Sequence, residues 1–126
     1  MRVVDTSAWL EWIRKTPTGL RVQPELPPDH AWVVPTIVQY ELARWLAREI
    51  SESVAAQIIA FSNQLVIMPL DTDLATKAAD YAGKCSLATA DAIIYATAMD
   101  AGADLLTCDA RFANLPRVVY IPKLTP

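Results

Sequence analysis

The amino-acid sequence predicts a single α/β domain over residues 1–126, with a parallel sheet of about five strands and helices on both of its faces. Two observations lead to this prediction. Short runs that are apolar throughout, which are typical of strands buried on both faces, alternate with longer segments whose apolar residues recur at helical spacing. The length of 126 residues also suits one domain, and no internal repeat or low-complexity stretch divides the chain.

Five apolar runs are predicted as strands. The first is closed by Asp5, and Pro35, Pro69 and Pro122 end the second, third and fifth, because proline lacks the N–H that continues a sheet. The five runs cover residues 3–4, 31–35, 65–68, 105–107 and 118–121.

Helices are predicted between these runs, at residues 8–13, 37–46, 53–63, 72–83, 90–101 and 109–115. The first stops before Thr16-Pro17, since proline disfavours helical geometry in the residue before it. Gly102 is expected to close the fifth helix in the left-handed conformation. We expect side-chain caps at the helix N-termini from Ser7, Thr36, Asp71 or Thr72, and Thr89.

Residues 16–30 are expected to form a linker-like loop, because they contain four prolines and a glycine. The single histidine, His30, lies in this stretch and is expected at the surface.

Composition excludes several classes of protein. With 53% apolar residues the chain is not a disordered acidic tail, and two cysteines indicate a reducing, cytoplasmic setting rather than a disulfide scaffold. No stretch approaches the roughly 18 apolar residues of a membrane helix. The 11 basic and 14 acidic residues give a net charge of −3, which at first argues against a nucleic-acid partner.

Four carboxylates fall where the predicted fold would bring them together. Asp5 follows the first strand and Asp109 the fourth, while Glu41 and Asp91 lie near the starts of helices. Ligands of open parallel sheets bind outside the carboxyl ends of the strands, where the strand order reverses. All four acids are therefore expected to converge on one cleft.

Each acid taken alone has an ordinary structural explanation, and that explanation is favoured for any single residue. Asp5 and Asp109 could cap helices, Asp91 could oppose a helix dipole, and Glu41 could pair with Arg44 or Arg48.

The set is harder to explain, because Glu41 and Asp91 interrupt apolar stretches and Asp5 and Asp91 have no lysine or arginine nearby in sequence. Oxygen ligands of this kind suit Mg²⁺ or Mn²⁺, whereas zinc would require cysteine or histidine.

The sequence around these acids resembles the four acidic motifs of the PIN-domain ribonucleases, and most closely those of the VapC-type toxins of bacterial and archaeal toxin–antitoxin pairs. The resemblance covers essentially the whole chain, and four such motifs in order are highly specific. They are Val3-Val4-Asp5-Thr6-Ser7, Tyr40-Glu41-Leu42, residues 87–94 and residues 105–112.

The resemblance implies a metal-dependent endoribonuclease. By similarity, Asp5, Glu41, Asp91 and Asp109 would hold one or two Mg²⁺ or Mn²⁺ ions, and RNA would be hydrolysed by metal-activated water, leaving a 5′-phosphate and a 3′-hydroxyl. Ser7 and Thr107 resemble residues that orient the acids or the water, although capping of strand ends explains them equally well. Arg44, Arg48 and Arg111 could reach phosphates, although a solvated or ion-paired face is favoured for each of them singly.

The resemblance also implies partners: a small cognate antitoxin, and a second copy of the chain in a homodimer. Trp9, Trp12, Tyr40 and Trp45, with the helix at 53–63, would supply the groove and the dimer face. Trp45 departs from the family, in which many members carry a small residue. Cys108 is expected to point into the core, and Cys85 has no recognisable role.

Two other readings stay open. A receiver-like signalling module would take a phosphoryl group on Asp71, with Thr107 and Lys123 beside it, but it leaves Glu41 and Asp91 unexplained. The second alternative is a binding protein that has the same fold but no enzymatic activity.

The net charge excludes neither RNA nor a metal. Without the four clustered carboxylates the chain has 10 acidic and 11 basic residues, a charge of +1. RNA binding is therefore expected to depend on metal and shape more than on a large cationic field.

Overall fold

A computed structural model describes residues 1–124. Its five strands are β1 (Arg2–Val4), β2 (Trp32–Pro35), β3 (Val66–Met68), β4 (Asp104–Thr107) and β5 (Val118–Tyr120). Its six α-helices are α1 (Thr6–Ile13), α2 (Pro17–Val22), α3 (Thr36–Glu49), α4 (Glu52–Ser62), α5 (Thr72–Cys85) and α6 (Thr89–Asp100). Short 3₁₀ helices cover Gln23–Glu25, Asp29–Ala31 and Ala110–Phe112.

The strands form one sheet in the order β3-β2-β1-β4-β5, and every neighbouring pair is parallel. The chain therefore leaves β1 in one direction to build β2 and β3, then returns across the sheet to build β4 and β5. Crossovers between parallel strands are almost always right-handed, so connections in opposite directions place their helices on opposite faces. The predicted α/β class, parallel sheet and two covered faces are confirmed.

The core lies on the three central strands. Val3 and Val4 of β1, Val33 of β2, and Leu105 and Leu106 of β4 are all fully buried. These residues form the apolar runs from which the strands were predicted, as expected for strands covered on both faces. An aromatic cluster of Trp9, Trp12, Trp32 and Phe61 extends this core, with ring centroids 4.7–6.1 Å apart.

The prediction of a loop at residues 16–30 was wrong. Pro17 occupies the first position of α2, where its missing N–H is not needed, and the Thr16 side chain accepts a hydrogen bond from the Gly19 N–H at 2.9 Å. The two 3₁₀ helices follow within the same stretch. His30 is exposed in the second of them, as expected.

Three predicted caps were also wrong, since no side chain caps α1, α3 or α6. Thr36 and Thr89 are the first residues of their helices, and Ser7 lies inside α1. The cap on α5 is confirmed, because the Asp71 carboxylate accepts a hydrogen bond from the Leu74 N–H at 2.8 Å.

Helix ends differ from the prediction in detail. Gly102 has the expected left-handed conformation, with φ of 65°. Helix α5 continues beyond Gly83 to Cys85, and the segment predicted as a helix at 109–115 is a single 3₁₀ turn. Within residues 1–124, no helix combines the length and apolar character that crossing a membrane requires.

Candidate active site

The candidate site lies where the strand order reverses, at the carboxyl ends of β1 and β4. Asp5 directly follows β1, and Asp109 is the second residue after β4. Asp91 lies in the first turn of α6, and Glu41 lies in α3, the helix that follows β2. The charges of Asp91 and Glu41 act on Asp5, and those of Asp109 and Glu41 act on Asp91, so the four predicted acids influence one another electrostatically.

Asp5 is the most deeply buried of the four, with 4% of its surface exposed. Its Oδ2 accepts hydrogen bonds from the Ser7 hydroxyl at 2.7 Å and the Thr107 hydroxyl at 2.8 Å. Burial raises the pKa of Asp5 to about 6, although these two hydrogen bonds oppose the rise. Its side chain does not cap α1, so helix capping does not explain this acid.

Ser7 and Thr107 also connect the two strand ends. Their hydroxyl oxygens are 3.3 Å apart, the Cys108 N–H donates to Ser7 Oγ at 3.0 Å, and the Asp109 N–H donates to Thr107 Oγ1 at 3.0 Å. The same hydroxyls that hold the Asp5 carboxylate therefore also hold the backbone that carries Asp109.

Asp91 and Asp109 share one cation, the guanidinium of Arg111. Its Nη2 lies 2.7 Å from Asp109 Oδ2, and its Nη1 lies 3.4 Å from Asp91 Oδ2. The hydrogen bonds from Arg111 lower the pKa of Asp109, whereas burial raises the pKa of Asp91. In this conformation Arg111 forms ion pairs with two of the four acids, Asp91 and Asp109.

Sequence reasoning missed the part played by Thr6. Its hydroxyl donates a hydrogen bond to Glu41 Oε1 at 2.7 Å and so fixes the Glu41 carboxylate, which comes from a different helix. The run Asp5-Thr6-Ser7 after β1 held a signal for this, because two successive hydroxyl residues at the strand end can reach two different acids.

Arg44 and Arg48 lie on α3, beyond Glu41. Arg44 donates a hydrogen bond to the Tyr40 hydroxyl at 3.1 Å, and Arg48 pairs with Glu49 at 2.9 Å. Among residues 1–124 neither arginine forms an ion pair with Glu41, so the pairing considered for Glu41 does not occur.

The donor set suits a hard divalent cation, since the four carboxylates supply oxygen ligands and one of them, Asp5, is buried. It is not a finished coordination cage. Within the described residues, no three His, Cys, Asp or Glu side chains are grouped closely enough to hold an ion as they stand. Arg111 and Thr6 engage oxygens of three of the acids, so metal binding requires the Arg111 side chain to move.

Residues singled out for other roles lie elsewhere. Asp71 follows the edge strand β3 and is exposed, with its carboxylate capping α5, so it does not face a central phosphoacceptor site. Cys108 is buried as expected, and burial raises the pKa of its thiol to about 11.

Fold and site together define a class of protein: a small α/β domain that gathers carboxylates from four elements at the carboxyl ends of its central strands. The chain belongs to the PIN domain family, whose model matches residues 2–118. This match confirms the resemblance seen in the four acidic motifs.

Several solved structures share this fold. A toxin–antitoxin complex from Klebsiella pneumoniae has a TM-score of 0.83 at 20% identity, covering 98% of this chain and 100% of that chain. VapC20 of Mycobacterium tuberculosis, a sarcin–ricin loop cleaving toxin, has a TM-score of 0.77 at 20% identity, covering 97% and 100%. FitAcB of Neisseria gonorrhoeae has a TM-score of 0.74 at 23% identity, covering 95% and 96%. No curated protein matches the sequence significantly.

Proposed function

We propose that this protein is a Mg²⁺- or Mn²⁺-dependent endoribonuclease that hydrolyses single-stranded or looped RNA. The observation that carries the proposal is the convergence of Asp5, Glu41, Asp91 and Asp109 from four separate elements, with Asp5 buried as a carboxylate. Burying a carboxylate is costly unless it is paired or binds a cation, and no basic side chain contacts Asp5 among the described residues. Membership of the PIN domain family supports the same conclusion.

The chain contributes positions and charge rather than a nucleophile. Ser7 and Thr107 orient the Asp5 carboxylate, and Thr6 orients that of Glu41, so the donor oxygens of these acids are fixed before any ion arrives. A bound divalent cation lowers the pKa of a coordinated water and offsets the charge on the leaving oxygen. Asp91 and Asp109 would complete the ligand set once the Arg111 guanidinium moves away.

The proposal includes a toxin role in the cytoplasm, with a small antitoxin as partner and a homodimer as the assembly. It is supported by the fold shared with a toxin–antitoxin complex and a VapC toxin. An apolar groove of about 340 Å³, lined in part by Trp12, Leu20 and Ile58, offers room for an antitoxin segment. Trp9 is fully buried and is not available to any partner.

The enzymatic proposal is tested by incubating purified protein with single-stranded RNA in Mg²⁺ or Mn²⁺ and, separately, in EDTA. We expect fragments with 5′-phosphate ends only when metal is present. Asp5→Asn and Asp91→Asn should slow cleavage by about two orders of magnitude or more, since each removes a charge that the cation needs. Asp29→Asn, at an exposed carboxylate in a 3₁₀ helix, is the matched control and should cleave like the wild type.

The toxin role is tested separately by induced expression. We expect the wild type to arrest growth and Asp91→Asn not to do so. Growth arrest that persists in Asp91→Asn would favour the binding protein without activity, the alternative that shares this fold.

A further inference from the structure

A cleft of about 250 Å³ opens directly beside the candidate site. Glu41, one of the four acids, lines the cleft together with Thr6, its hydrogen-bond partner. Most of the remaining lining comes from α3: Tyr40, Arg44, Trp45 and Arg48. We call it the α3 cleft. Its volume is below the roughly 300 Å³ of a typical small-molecule pocket, so it fits a fragment such as one base.

The charged lining of the α3 cleft follows one row of the helix. Tyr40, Arg44 and Arg48 are spaced four residues apart, which places them on the same face of α3 at successive turns, about 6 Å apart along the axis. This row begins at Tyr40, one residue before Glu41. Its two guanidinium groups, those of Arg44 and Arg48, lie one and two turns further along α3. An extended polyanion leaving the acid site along α3 would meet these groups in turn.

Arg44 is the free cation of this row. It is exposed, and none of the acidic side chains in residues 1–124 forms an ion pair with it. Among the described residues its side chain forms a hydrogen bond to the Tyr40 hydroxyl, which leaves most of its five N–H donors available for a phosphate. Arg48, by contrast, already pairs with Glu49.

Tyr40 supplies an aromatic surface beside that cation. It is among the most exposed large hydrophobic residues of the described chain, with 56% of its surface accessible. The ring of Trp45 is less available, because the Arg14 guanidinium lies 5.5 Å from its centroid. Unpaired bases stack on exposed aromatic rings, and the phosphate between them binds arginine.

We propose that the α3 cleft binds the nucleotide of a single-stranded RNA next to the bond that is cut, with its base against Tyr40 and its phosphate on Arg44. This inference rests on the proposed function and adds the residues that hold the substrate. An acidic protein segment could also pair with Arg44. It would not account for the exposed aromatic ring of Tyr40 next to a site proposed to cleave phosphodiester bonds, whereas RNA accounts for both.

The test measures RNA binding in the cleavage-deficient Asp91→Asn protein with Mg²⁺, by fluorescence anisotropy of a labelled, mixed-sequence single-stranded RNA. Arg44→Gln should weaken binding about three- to ten-fold and reduce the slope of log affinity against log salt by about 0.7, the value for one phosphate contact on a single strand. The matched control is Arg117→Gln, at an exposed arginine just before the edge strand β5, at the amino ends of the strands and so away from the acids.

Tyr40 is tested by two substitutions. Tyr40→Ala should weaken RNA binding about five-fold or more through loss of stacking, whereas Tyr40→Phe keeps the ring and should bind within about two-fold of the parent. Duplex RNA, whose bases are not free to stack, should respond little to Tyr40→Ala.

Two results would overturn the inference. One is equal RNA affinity in the Arg44→Gln and Arg117→Gln proteins. The other is a loss, on Arg44→Gln, of binding to a labelled poly-glutamate peptide without any loss of RNA affinity, which would indicate a protein segment as the occupant. Either result leaves the proposed function standing if the wild type cleaves RNA with metal and Asp91→Asn does not.

Discussion

At the scale of single residues, Asp5 has the environment most unlike that of an ordinary carboxylate. It is buried between two strand ends, and within residues 1–124 its hydrogen-bond partners are hydroxyl and backbone groups. Its pKa of about 6 means that the folded protein binds this proton more tightly than the unfolded chain does. Ionising Asp5 without metal therefore works against folding.

A pH dependence of stability follows from this. Between about pH 4 and pH 6 the wild type loses folding free energy from Asp5 as pH rises, because the unfolded chain ionises first, and above that window the loss is complete. The test compares the free energy of unfolding of Asp5→Asn with that of the wild type, in EDTA at two pH values. The difference, variant minus wild type, should be larger near pH 7.5 than near pH 4.5, by on the order of 2 kcal/mol. Urea denaturation at the two pH values measures this, and Asp29→Asn should show no such difference.

Arg111 gives a second prediction at this scale. Since its guanidinium lies against Asp91 and Asp109, a divalent cation bound at the proposed site would have to displace it. Arg111→Gln should bind Mn²⁺ about two- to five-fold more tightly, as expected for removal of a partly exposed ion pair. Calorimetry gives the affinity, with Lys84→Gln on α5 as control, because Lys84 forms an ion pair with Asp80 outside the site. Unchanged or weaker Mn²⁺ binding in Arg111→Gln would contradict this account.

The elements that carry the four acids could be predicted from the sequence, but not all of the contacts of these acids. Asp5 and Asp109 could be placed because strand ends are visible as breaks in apolar runs. The contact between Arg111 and Asp91 could not, because it joins side chains of separate elements whose approach depends on packing. Thr6 was missed for the same reason, since its partner Glu41 is 35 residues away.

At the scale of secondary-structure elements, the strands were predictable and the proline-rich stretch was not. A short run of residues that are all apolar predicts a strand buried on both faces, whatever elements surround it. Proline, in contrast, breaks a helix interior and favours a helix start, so Pro17 could mark either a loop or the first turn of α2. The tertiary contact of α2 with α1 decides between them.

Gly19 is the residue that permits this contact. A Cβ at Gly19 would collide with the carbonyl oxygen of Glu11 in α1, whereas a Cβ at Gly83 in α5 would meet no atom within 4 Å. Gly19→Ala should lower the free energy of unfolding by about 2 kcal/mol through overpacking. Gly83→Ala should raise it by about 0.5–1 kcal/mol, because alanine favours the helix. Urea denaturation distinguishes the two, and a Gly19→Ala protein as stable as wild type would show that α2 does not pack closely on α1.

At the scale of the whole molecule, the net charge of −3 limits how RNA can be bound. Six of the eleven basic residues take part in ion pairs within residues 1–124: Arg2, Arg14, Arg48, Lys77, Lys84 and Arg111. Few cations are left to form a broad basic surface. The proposed RNA binding is therefore expected to depend on a small number of phosphate contacts near the acids.

The salt dependence of RNA binding should consequently be shallow. With two or three phosphate contacts, log affinity should fall with log salt at a slope between about −1.4 and −2.1 for a single strand. Anisotropy titrations of the Asp91→Asn protein over a range of salt concentrations measure the slope. A slope steeper than about −4 would require more phosphate contacts than this account allows and would contradict it.

The central claim is that the four carboxylates at the carboxyl ends of β1 and β4 form one divalent-cation site. Anomalous diffraction from crystals grown with Mn²⁺ tests it most directly. We predict a manganese peak within bonding distance of Asp5 and at least one of Asp91 and Asp109, with the Arg111 guanidinium displaced from between the latter two. Crystals in which Arg111 stays on both carboxylates and no manganese contacts Asp5 would contradict the claim.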